Sequence, residues 1–322
     1  MDSVNALHGQ PLILGEVLFD QFPEGAVLGG APLNVAWNLK GLGADPILLS
    51  RIGEDEAGEQ VRAAMQRQGL SLEALQRDPD HPTGAVRVEL DAQGIPGYTI
   101  LPDQAYDHIH LDPKALEAFR PSLLYRGSLA ARTVAAHRQF QDFIPALGCP
   151  VFLDLNLRDP WWRPQAVREM LRTCDWLKLN QDELLQVAQM EGIPARDAIA
   201  QAQQLREILN LKSVLLTLGA AGAMMITPDQ VYQADPVPVP QMVDTVGAGD
   251  AFSAVAILGL LQGWSEAIVL ERAVCFAAAL CGITGGTPQD RGFYDPFRAE
   301  WGMYSPLRPG HTGVSSSYMQ HR

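Results

Sequence analysis

Residues 244–254 read Asp-Thr-Val-Gly-Ala-Gly-Asp-Ala-Phe-Ser-Ala, and the rest of the chain is organised around this stretch. It follows a proline-rich loop and opens an apolar run over residues 251–261 that predicts a buried helix. Gly247, Ala248 and Gly249 are small, so their backbone N–H groups can approach a ligand closely. Because the helix dipole favours negative charge at this end, the stretch predicts a phosphate site.

Asp250 lies in the same turn as these small residues. A carboxylate beside an anion pocket is electrostatically unfavourable, and a general base that takes a proton from an attacking hydroxyl would explain its presence. The alternative is that Asp250 only caps the helix, as aspartate often does. The base is the favoured interpretation, and the stretch by itself leaves both open.

Composition bounds the class of protein. The chain has 322 residues with 47% hydrophobic and 19% charged content, which indicates a globular protein and excludes a disordered one. The formal charge is 24 − 37 = −13, which argues against nucleic acid as the main partner. ATP is not excluded, because a helix N-terminus supplies local positive potential.

The cysteines and the apolar runs bear on compartment and membrane. The four cysteines are scattered without C-x-x-C spacing, which argues against a disulfide framework or a zinc knuckle. The N-terminal residues lack the basic region of a signal peptide. The apolar runs 251–261 and 273–283 are shorter than the roughly 18–20 residues that cross a bilayer. We expect a cytoplasmic protein with no membrane partner.

Two stretches in the first fifty residues carry candidate binding groups. Residues 11–20 form an apolar run with β character, predicted as the first strand, and Asp20 at its end would face the ligand crevice of an open α/β sheet. An ordinary turn residue is the alternative. Gly29-Gly30 allows a tight turn, and Asn34 in the first turn of the next helix offers a donor and an acceptor. Here the alternative is a plain Gly-Gly turn.

Strands alternate with helices along most of the chain, which predicts a parallel sheet with right-handed crossovers. Residues 83–109 differ, because apolar and charged residues alternate there around a hairpin-type turn at 91–94. Together with residues 21–28 they predict a small separate sheet. His108-x-His110 is an isolated pair, for which a junction between this sheet and the core is favoured over a metal site.

Further polar groups follow strands later in the chain. Asp154-x-Asn156-x-Arg158 offers a guanidinium that can hold a phosphate, or that can pair with Asp159 or Glu169. The amide and carboxylate of Asn180-x-x-Glu183 can orient Mg²⁺ through water. Lys178 can reach ATP phosphates or be solvated. A Gly-x-x-x-x-Gly-Lys-[Ser/Thr] motif and a Gly-x-Gly-x-x-Gly motif are both missing, which excludes a P-loop ATPase and argues against a dinucleotide-binding dehydrogenase.

Two of these stretches resemble the signatures of the ribokinase-like (PfkB) carbohydrate kinases. Residues 244–252 match Asp-Thr-x-Gly-Ala-Gly-Asp-x-Phe, and residues 29–36 match Gly-Gly-x-Pro-x-Asn-x-Ala. The resemblance covers roughly residues 12–287. It implies a three-layer α/β/α sandwich with a mostly parallel central sheet and a small β-sheet lid. The implied kinase domain spans residues 1–310, with lid strands inserted at about 21–30 and 83–110, and residues 311–322 form a loosely packed tail.

The resemblance also implies an activity, the transfer of the γ-phosphoryl group of ATP to a sugar hydroxyl. It makes Asp250 the catalytic base and Gly247, Ala248 and Gly249 the anion hole. The implied sugar contacts are Asp20, Gly29, Gly30, Asn34 and Arg158. The implied ATP contacts are Lys178, Asn180, Thr217, Gly219, Gly222, Gly247 and Gly249. Asn180 and Glu183 would hold Mg²⁺ through water, and Asp244 and Thr245 would lie near a monovalent cation such as K⁺.

The substrate is predicted less sharply. Asp154-x-Asn156-x-Arg158 and Trp161-Trp162 resemble the fructokinase-like branch, which favours conversion of fructose to fructose 6-phosphate. Ribose, 2-keto-3-deoxygluconate and nucleosides are the alternative acceptors. A non-catalytic sugar-binding relative is the rival outside enzymes, although such a protein would have needed to lose Asp250 or the Gly-Ala-Gly turn. The resemblance further implies a homodimer formed through the lid.

Overall fold

The computed structural model describes residues 6–90, 96–116, 119–194 and 197–303. Nine strands form its main sheet: β1 (Pro11–Leu14), β4 (Ile47–Gly53), β5 (Leu75–Asp78), β8 (Leu123–Arg126), β9 (Val151–Asp154), β10 (Trp176–Asn180), β11 (Ser213–Thr217), β12 (Ala223–Ile226) and β13 (Val231–Ala234). Their order across the sheet is β13-β12-β11-β10-β9-β8-β1-β4-β5. All neighbouring pairs from β11 to β5 are parallel, and β12 and β13 extend the sheet antiparallel.

The helices of the described ranges are α1 (Ala31–Gly41), α2 (Glu56–Gln68), α3 (Pro113–Leu116), α4 (Val134–Leu147), α5 (Pro164–Leu171), α6 (Gln181–Met190), α7 (Ala198–Leu209), α8 (Ala248–Gln262), α9 (Glu266–Leu280) and α10 (Asp295–Glu300). Across these ranges, none of the helices is both long and apolar enough to traverse a bilayer.

Both faces of the main sheet are covered. Side chains alternate along each strand, so Ile13 joins one apolar cluster with α1, α2, α8 and α9, while Leu12 and Leu14 join a second cluster with α4 to α7. A strand buried on both faces needs apolar residues at consecutive positions, as in β11 (SVLLT). The predicted three-layer architecture with a mostly parallel central sheet is confirmed.

A second, four-stranded sheet forms the lid. It contains β2 (Leu18–Phe22), β3 (Gly25–Gly29), β6 (Gly84–Leu90) and β7 (Pro96–Ile100), in the order β3-β2-β6-β7. β2 pairs parallel with β6 and antiparallel with β3, and β6 pairs antiparallel with β7. The predicted small separate sheet is therefore present. The predicted turn at 91–94 and the predicted tail at 311–322 lie outside the described residues.

The first strand departs from the prediction. Residues 11–20 are not one strand, because the chain bends between Leu14 and Leu18 and passes from the main sheet into the lid. At the bend, Gly15 has φ +152, and a Cβ there would lie 2.5 Å from the ring of Pro32 at the start of α1. Asp20 consequently belongs to a lid strand, and Glu16 is the carboxylate that follows the carboxyl end of β1.

Candidate active site

The site lies at the carboxyl ends of the parallel strands, where α1 and α8 begin. Gly30 is the N-cap of α1 with φ +106, and a Cβ on it would lie 2.7 Å from the backbone oxygen of Glu16. Only glycine allows this approach, which fixes the start of α1 against the bend after β1. Asn34, in the first turn of α1, is buried and donates from Nδ2 to Oδ2 of Asp250 at 2.7 Å. The two signature segments are thus in direct contact.

The start of α8 is held by a third segment. Gly247 is the N-cap of α8 in the left-handed region, with φ +79, and a Cβ on it would lie 2.4 Å from Cα of Gly286. A Cβ on Gly286 would in turn lie 2.5 Å from Nδ2 of Asn34. The loop after α9 therefore fits between the two signature segments at a glycine. The first-turn N–H groups of α8, including those of Gly249 and Asp250, point outward from the helix end, as an anion site requires.

Asp250 is held in an environment that favours its neutral form. Its side chain is 9% exposed, and burial, with the nearby charge of Asp154, raises the pKa of Asp250 to about 6. The hydrogen bond from Asn34 and the charges of Lys178 and Arg158 act in the opposite direction. A carboxylate of this pKa is a stronger base than an ordinary aspartate and is still ionised at neutral pH.

A buried ion pair lies beside the start of α8. Nζ of Lys178 donates to Oδ1 of Asp154 at 2.9 Å, and Oγ of Ser253, one turn into α8, donates to Oδ2 of Asp154 at 2.8 Å. Asp154 is fully buried and Lys178 is 7% exposed. Burial lowers the pKa of Lys178, but the charges of Asp154 and Glu183 raise it by more, so the amine stays charged.

Lys178 also touches the predicted anion hole. A Cβ on Gly249 would lie 2.9 Å from Nζ of Lys178, so the absence of a side chain at 249 leaves room for the ammonium. The alternative that Lys178 is solvated is wrong, because the side chain is buried and paired with Asp154. The arrangement places a fixed positive charge directly behind the first turn of α8, where it adds to the helix dipole.

Glu16 is a candidate that the sequence interpretation missed. It is 4% exposed, and its Oε2 atom has no hydrogen-bond partner among the described residues. Burial, together with the charge of Asp250, raises the pKa of Glu16 to about 7, while Arg158 and Arg132 lower it. The rule that a carboxylate after a parallel strand faces the crevice applies to Glu16. From the sequence, this rule was applied to Asp20, because the first strand was predicted to extend to residue 20.

The lid contributes Asp20 and Tyr98 to the same region. Oδ2 of Asp20 lies 3.5 Å from the position that a Cβ on Gly29 would take, so these two predicted sugar contacts adjoin. Burial raises the pKa of Asp20 to about 6, with Arg158 lowering it and Asp244 raising it. Tyr98 on β7 was not predicted as a site residue from the sequence, and it is 54% exposed. Its pKa is raised first by burial and then by the charges of Asp20 and Asp244.

Arg158 is near all three acids of the crevice. Its charge lowers the pKa of Glu16, Asp20 and Asp250 alike. The alternative pairing with Asp159 or Glu169 is wrong: among the described residues the guanidinium of Arg158 makes no ion pair with either acid, and its Nη1 donates to the backbone oxygen of Leu157 at 3.3 Å. Asp159 accepts instead from Nε1 of Trp162 at 2.7 Å, and Glu169 accepts from His137 and Gln165. Of the two adjacent tryptophans, Trp161 packs against the guanidinium of Arg132, 4.4 Å from its ring centroid.

The predicted ATP-side residues lie at the ends of two neighbouring strands. Asn180 ends β10 and is paired in register with Thr217, which ends β11, and a short turn with Gly219 and Gly222 follows. Gly222 has φ +89, and a Cβ there would lie 2.2 Å from the backbone oxygen of Ala234, so this turn requires glycine.

Asn180 and Glu183 form a capping box at the start of α6. Oδ1 of Asn180 accepts from the N–H of Glu183, and Oε2 of Glu183 accepts from the N–H of Asn180, each at 2.9 Å. Oε1 of Glu183 accepts from the N–H of Leu157 at 2.9 Å, and the side chain is buried. With both oxygens engaged by backbone donors, Glu183 fits contact with Mg²⁺ through water and does not fit direct ligation.

Asp244 links two loops at the mouth of the crevice. Its Oδ1 accepts from the N–H of Val246 at 2.9 Å, and its Oδ2 accepts from the N–H of Gly285 at 3.0 Å. Thr245 contributes its backbone oxygen, which accepts from the N–H of Ala248 at 3.3 Å. These contacts hold the loop before α8 against the loop after α9, the neighbourhood predicted for a monovalent cation.

A cavity of about 210 Å³ lies elsewhere, near the amino ends of β10 and β11. Trp176, Ser213, Trp264 and Glu266 are among its lining residues. Ligands of open α/β sheets bind at the carboxyl ends of the strands, so the crevice with Asp250 is the candidate site and this cavity is not.

Comparisons with known proteins agree with this geometry. The profile of the pfkB family carbohydrate kinases matches residues 21–290. A fructokinase of Vibrio alginolyticus is 27% identical over 296 residues, covering 86% of this chain and 93% of the relative. A fructokinase of Klebsiella pneumoniae is 30% identical over 268 residues (79% and 85%). An aminoimidazole riboside kinase of Salmonella typhimurium is 26% identical over 275 residues (80% and 84%).

Among solved structures, a fructokinase with bound ATP from Xylella fastidiosa superposes with a TM-score of 0.76. The match has 21% sequence identity and covers 91% of this chain and 99% of that protein. At this identity the likeness speaks for the fold alone, and it confirms the ribokinase-like α/β fold with a separate small sheet.

Proposed function

Because the chain belongs to the pfkB family of carbohydrate kinases, phosphotransferases with an alcohol group as acceptor, we propose that it phosphorylates fructose with ATP to give fructose 6-phosphate. Kinase activity on a hydroxyl follows from the family. The choice of fructose is the finer statement. It is supported by the two fructokinase relatives, by Arg158 near the crevice acids, and by the resemblance of the Trp161-Trp162 segment to the fructokinase-like branch.

One observation carries the proposal: Asn34 and Asp250, 216 residues apart in sequence, share a 2.7 Å hydrogen bond at the point where two helices begin. A base must lie within hydrogen-bond reach of the proton that it removes. Since Asn34 is a predicted sugar contact, a sugar hydroxyl bound there would lie next to the Asp250 carboxylate. A residue that merely capped α8 would not need this partner.

The mechanism assigns a step to each group of the crevice floor. Asp250 takes the proton of the acceptor hydroxyl, the oxygen attacks the γ-phosphorus of ATP in line, and the bond from that phosphorus to the bridging oxygen breaks to release ADP. The N–H groups of Gly247 and Gly249, with that of Ala248 shared with the backbone oxygen of Thr245 at 3.3 Å, stabilise the charge on the transferred phosphoryl group. Lys178, fixed by Asp154 against Gly249, adds a buried positive charge behind them.

The lid side of the crevice orients the acceptor. Asp20, Gly29 and Gly30 are the sugar contacts, and a carboxylate accepts hydroxyl hydrogen bonds well. Arg158 balances the charges of Asp20 and Asp250. Closure of the lid would exclude water, which otherwise competes with the sugar for the phosphoryl group.

Mg²⁺ would neutralise phosphate charge when it is bound with ATP. Asn180 and Glu183 are the residues that would hold it, through its water ligands, because the capping box already engages both oxygens of Glu183. Thr217, Gly219 and Gly222, beside them at the end of β11, would line the nucleotide.

Two further predictions concern a monovalent cation and the assembly. Asp244 and Thr245 predict stimulation by K⁺, which replacing K⁺ with Na⁺ in a turnover assay tests. A homodimer through the lid predicts a particle of twice the 35.1 kDa chain mass, which light scattering measures.

The substrate is tested by measuring ATP consumption by the purified chain with fructose, ribose, 2-keto-3-deoxygluconate and a set of nucleosides. We expect the highest kcat/KM with fructose. A nucleoside turned over faster than every sugar would favour the alternative that the riboside kinase relative suggests. If no acceptor accelerated ATP consumption while sugars still bound, the chain would be a non-catalytic binding protein.

A further inference from the structure

Two histidines and an aspartate converge where the lid joins the main sheet. His81 lies in the connection that enters β6, and Asp103 and His108 lie in the connection that leaves β7. Oδ1 of Asp103 is 2.9 Å from Nε2 of His108 and 3.7 Å from Nε2 of His81. The candidate ligand atoms of the three residues all lie within 4.8 Å of one another. His110, the other half of the sequence pair, is not part of this group.

His81 is oriented from behind by a buried carboxylate. Asp78, 1% exposed, accepts at Oδ1 from Nδ1 of His81 at 3.1 Å and from the N–H groups of Asp80 and His81. Its other oxygen pairs with Arg51 at 2.6 Å.

This support selects one form of the imidazole. With Nδ1 of His81 donating to Asp78, Nε2 carries no proton and presents its lone pair toward Asp103. A carboxylate behind the far nitrogen of a ligating histidine is the usual outer partner in metal sites, where it fixes the tautomer and strengthens the ligand.

The spacing of the ligand atoms also suits a metal ion. Zinc binds nitrogen and carboxylate oxygen at about 2.0–2.2 Å, so neighbouring ligand atoms of a tetrahedral site lie about 3.3 Å apart. The distances of 2.9 and 3.7 Å bracket that value. The rings of His81 and His108 stack, with 3.6 Å between their centroids. The ring of His108 must therefore rotate for both Nε2 atoms to point at one ion, and its side chain, 39% exposed, has room to do so.

We propose that His81, Asp103 and His108 form a binding site for one transition-metal ion of the zinc class, which cross-links the two connections of the lid. Two imidazoles and one carboxylate suit Zn²⁺ and its neighbours better than Mg²⁺ or Ca²⁺. Three protein ligands leave a fourth position to water. The two connections already touch, since the N–H of Ala105 donates to the backbone oxygen of Pro82 at 2.8 Å. The ion stiffens the base of the lid and takes no part in phosphoryl transfer.

The test is a calorimetric titration of the full chain with Zn²⁺, in a buffer with Mg²⁺ in excess. Wild type, His108→Ala and the matched control His110→Ala are compared. His110 is exposed, and only its backbone bonds to Gln76. His311 and His321 are present in every variant, so any Zn²⁺ that they bind is the same in all three titrations. We expect wild type and His110→Ala to bind one more equivalent of Zn²⁺ than His108→Ala, which keeps the fold because its side chain is exposed.

A second readout separates this site from adventitious binding. Co²⁺ in the site should give the visible spectrum of a tetrahedral ion, and Zn²⁺ should slow amide exchange in residues 79–83 and 101–108 of wild type but not of His108→Ala. The proposal is overturned if wild type and His108→Ala take up the same amount of Zn²⁺, or if His110→Ala loses binding as well. Kinase activity enters neither measurement, so failure here leaves the proposed function unaffected.

Discussion

The floor of the crevice, built from the main sheet and α8, buries its charged groups, whereas the lid sheet keeps most of its own near the surface. Asp154 is fully buried, and Lys178 and Asp250 are less than 10% exposed. On the lid, Asp20 is only partly buried and Tyr98 is 54% exposed. A buried group is held in one geometry by packing, while an exposed one can adjust. We infer from this difference that the floor carries the chemical step of the proposed reaction and that the lid sets substrate affinity, and each prediction below tests that division.

The largest effect is expected for Asp250→Asn. Loss of a positioned base lowers turnover about 10²–10⁴-fold, while ATP binding should be nearly unchanged. The variant should not be less stable. The pKa of Asp250 lies above its unfolded value of 3.8, so its ionisation destabilises the fold as pH rises through about 6. The neutral amide of the variant avoids this cost.

Steady-state kinetics, ATP titration and urea unfolding measure the three properties of Asp250→Asn. Asp229→Asn, an exposed carboxylate beside the cavity at the other end of the strands, is the control. Near-normal turnover in Asp250→Asn would reject the base assignment and with it the separation of floor and lid.

The next largest effect concerns the stability of the floor. Asp154→Asn leaves the Lys178 ammonium buried without its hydrogen-bonded counter-charge, and breaking such a pair costs about 3–5 kcal/mol. Asp154→Asn/Lys178→Met removes both charges and should recover most of that loss. Asp45→Asn, which breaks the exposed pair with Lys40, should change the free energy of unfolding by about 1 kcal/mol or less.

Urea denaturation of these variants provides the measurement. A similar cost for Asp154→Asn and Asp45→Asn would show that the Asp154–Lys178 pair is no more constrained than a surface pair, and the picture of a rigid floor would fail.

A smaller effect is expected on the lid. Asp20→Asn weakens hydrogen bonds between a charged acceptor and sugar hydroxyls, which at about 1.5–3 kcal/mol raises the KM for the sugar about 10–100-fold. kcat and the KM for ATP should change little. Gln21→Ala, an exposed neighbour on the same strand, should leave all three values as they are. A fall in kcat larger than the rise in KM would move Asp20 from the binding side to the chemical step.

The smallest effect is a pH dependence within the ordinary assay range. Since burial raises the pKa of Asp250 to about 6, the base loses its negative charge as the pH falls through that value. kcat/KM should be about half-maximal near pH 6 and fall about tenfold per unit below it. Asp20 titrates in the same range, so the profile of Asp20→Asn must be recorded too. If the inflection of kcat/KM near pH 6 persists in Asp20→Asn, it belongs to the floor. If it disappears in that variant, it belongs to the lid.

The same division explains what the sequence could predict. Inner strands of the main sheet, such as β11, are buried on both faces and appear as continuous apolar runs, which is why the alternation of strands and helices could be predicted. The break after Leu14 was missed, because Val17 within the bend and Leu18 and Phe19 beyond it are also buried, although Leu18 and Phe19 belong to a different sheet. Hydrophobicity reports burial and does not report which sheet a residue joins.

The site was predictable where a contact is local and not where it spans the chain. The glycines at 247 and 249 indicated a helix start that can bind an anion, and this requires only the neighbouring residues. The burial of Lys178 depends on Asp154 and on the missing side chain at Gly249, which come from different strands and a distant helix. The position of Glu16 depends on where β1 ends, so one misplaced boundary concealed it.

The loop glycine between the two signature segments has a consequence for synthesis. Gly286 touches both Gly247 and Asn34, and its backbone oxygen accepts from Nδ2 of Asn38 at 3.0 Å. A nascent chain that has not yet reached residue 286 contains every proposed catalytic residue but lacks the loop segment that packs against both signature segments. Premature termination before this point would therefore yield a protein that carries both signatures and is inactive.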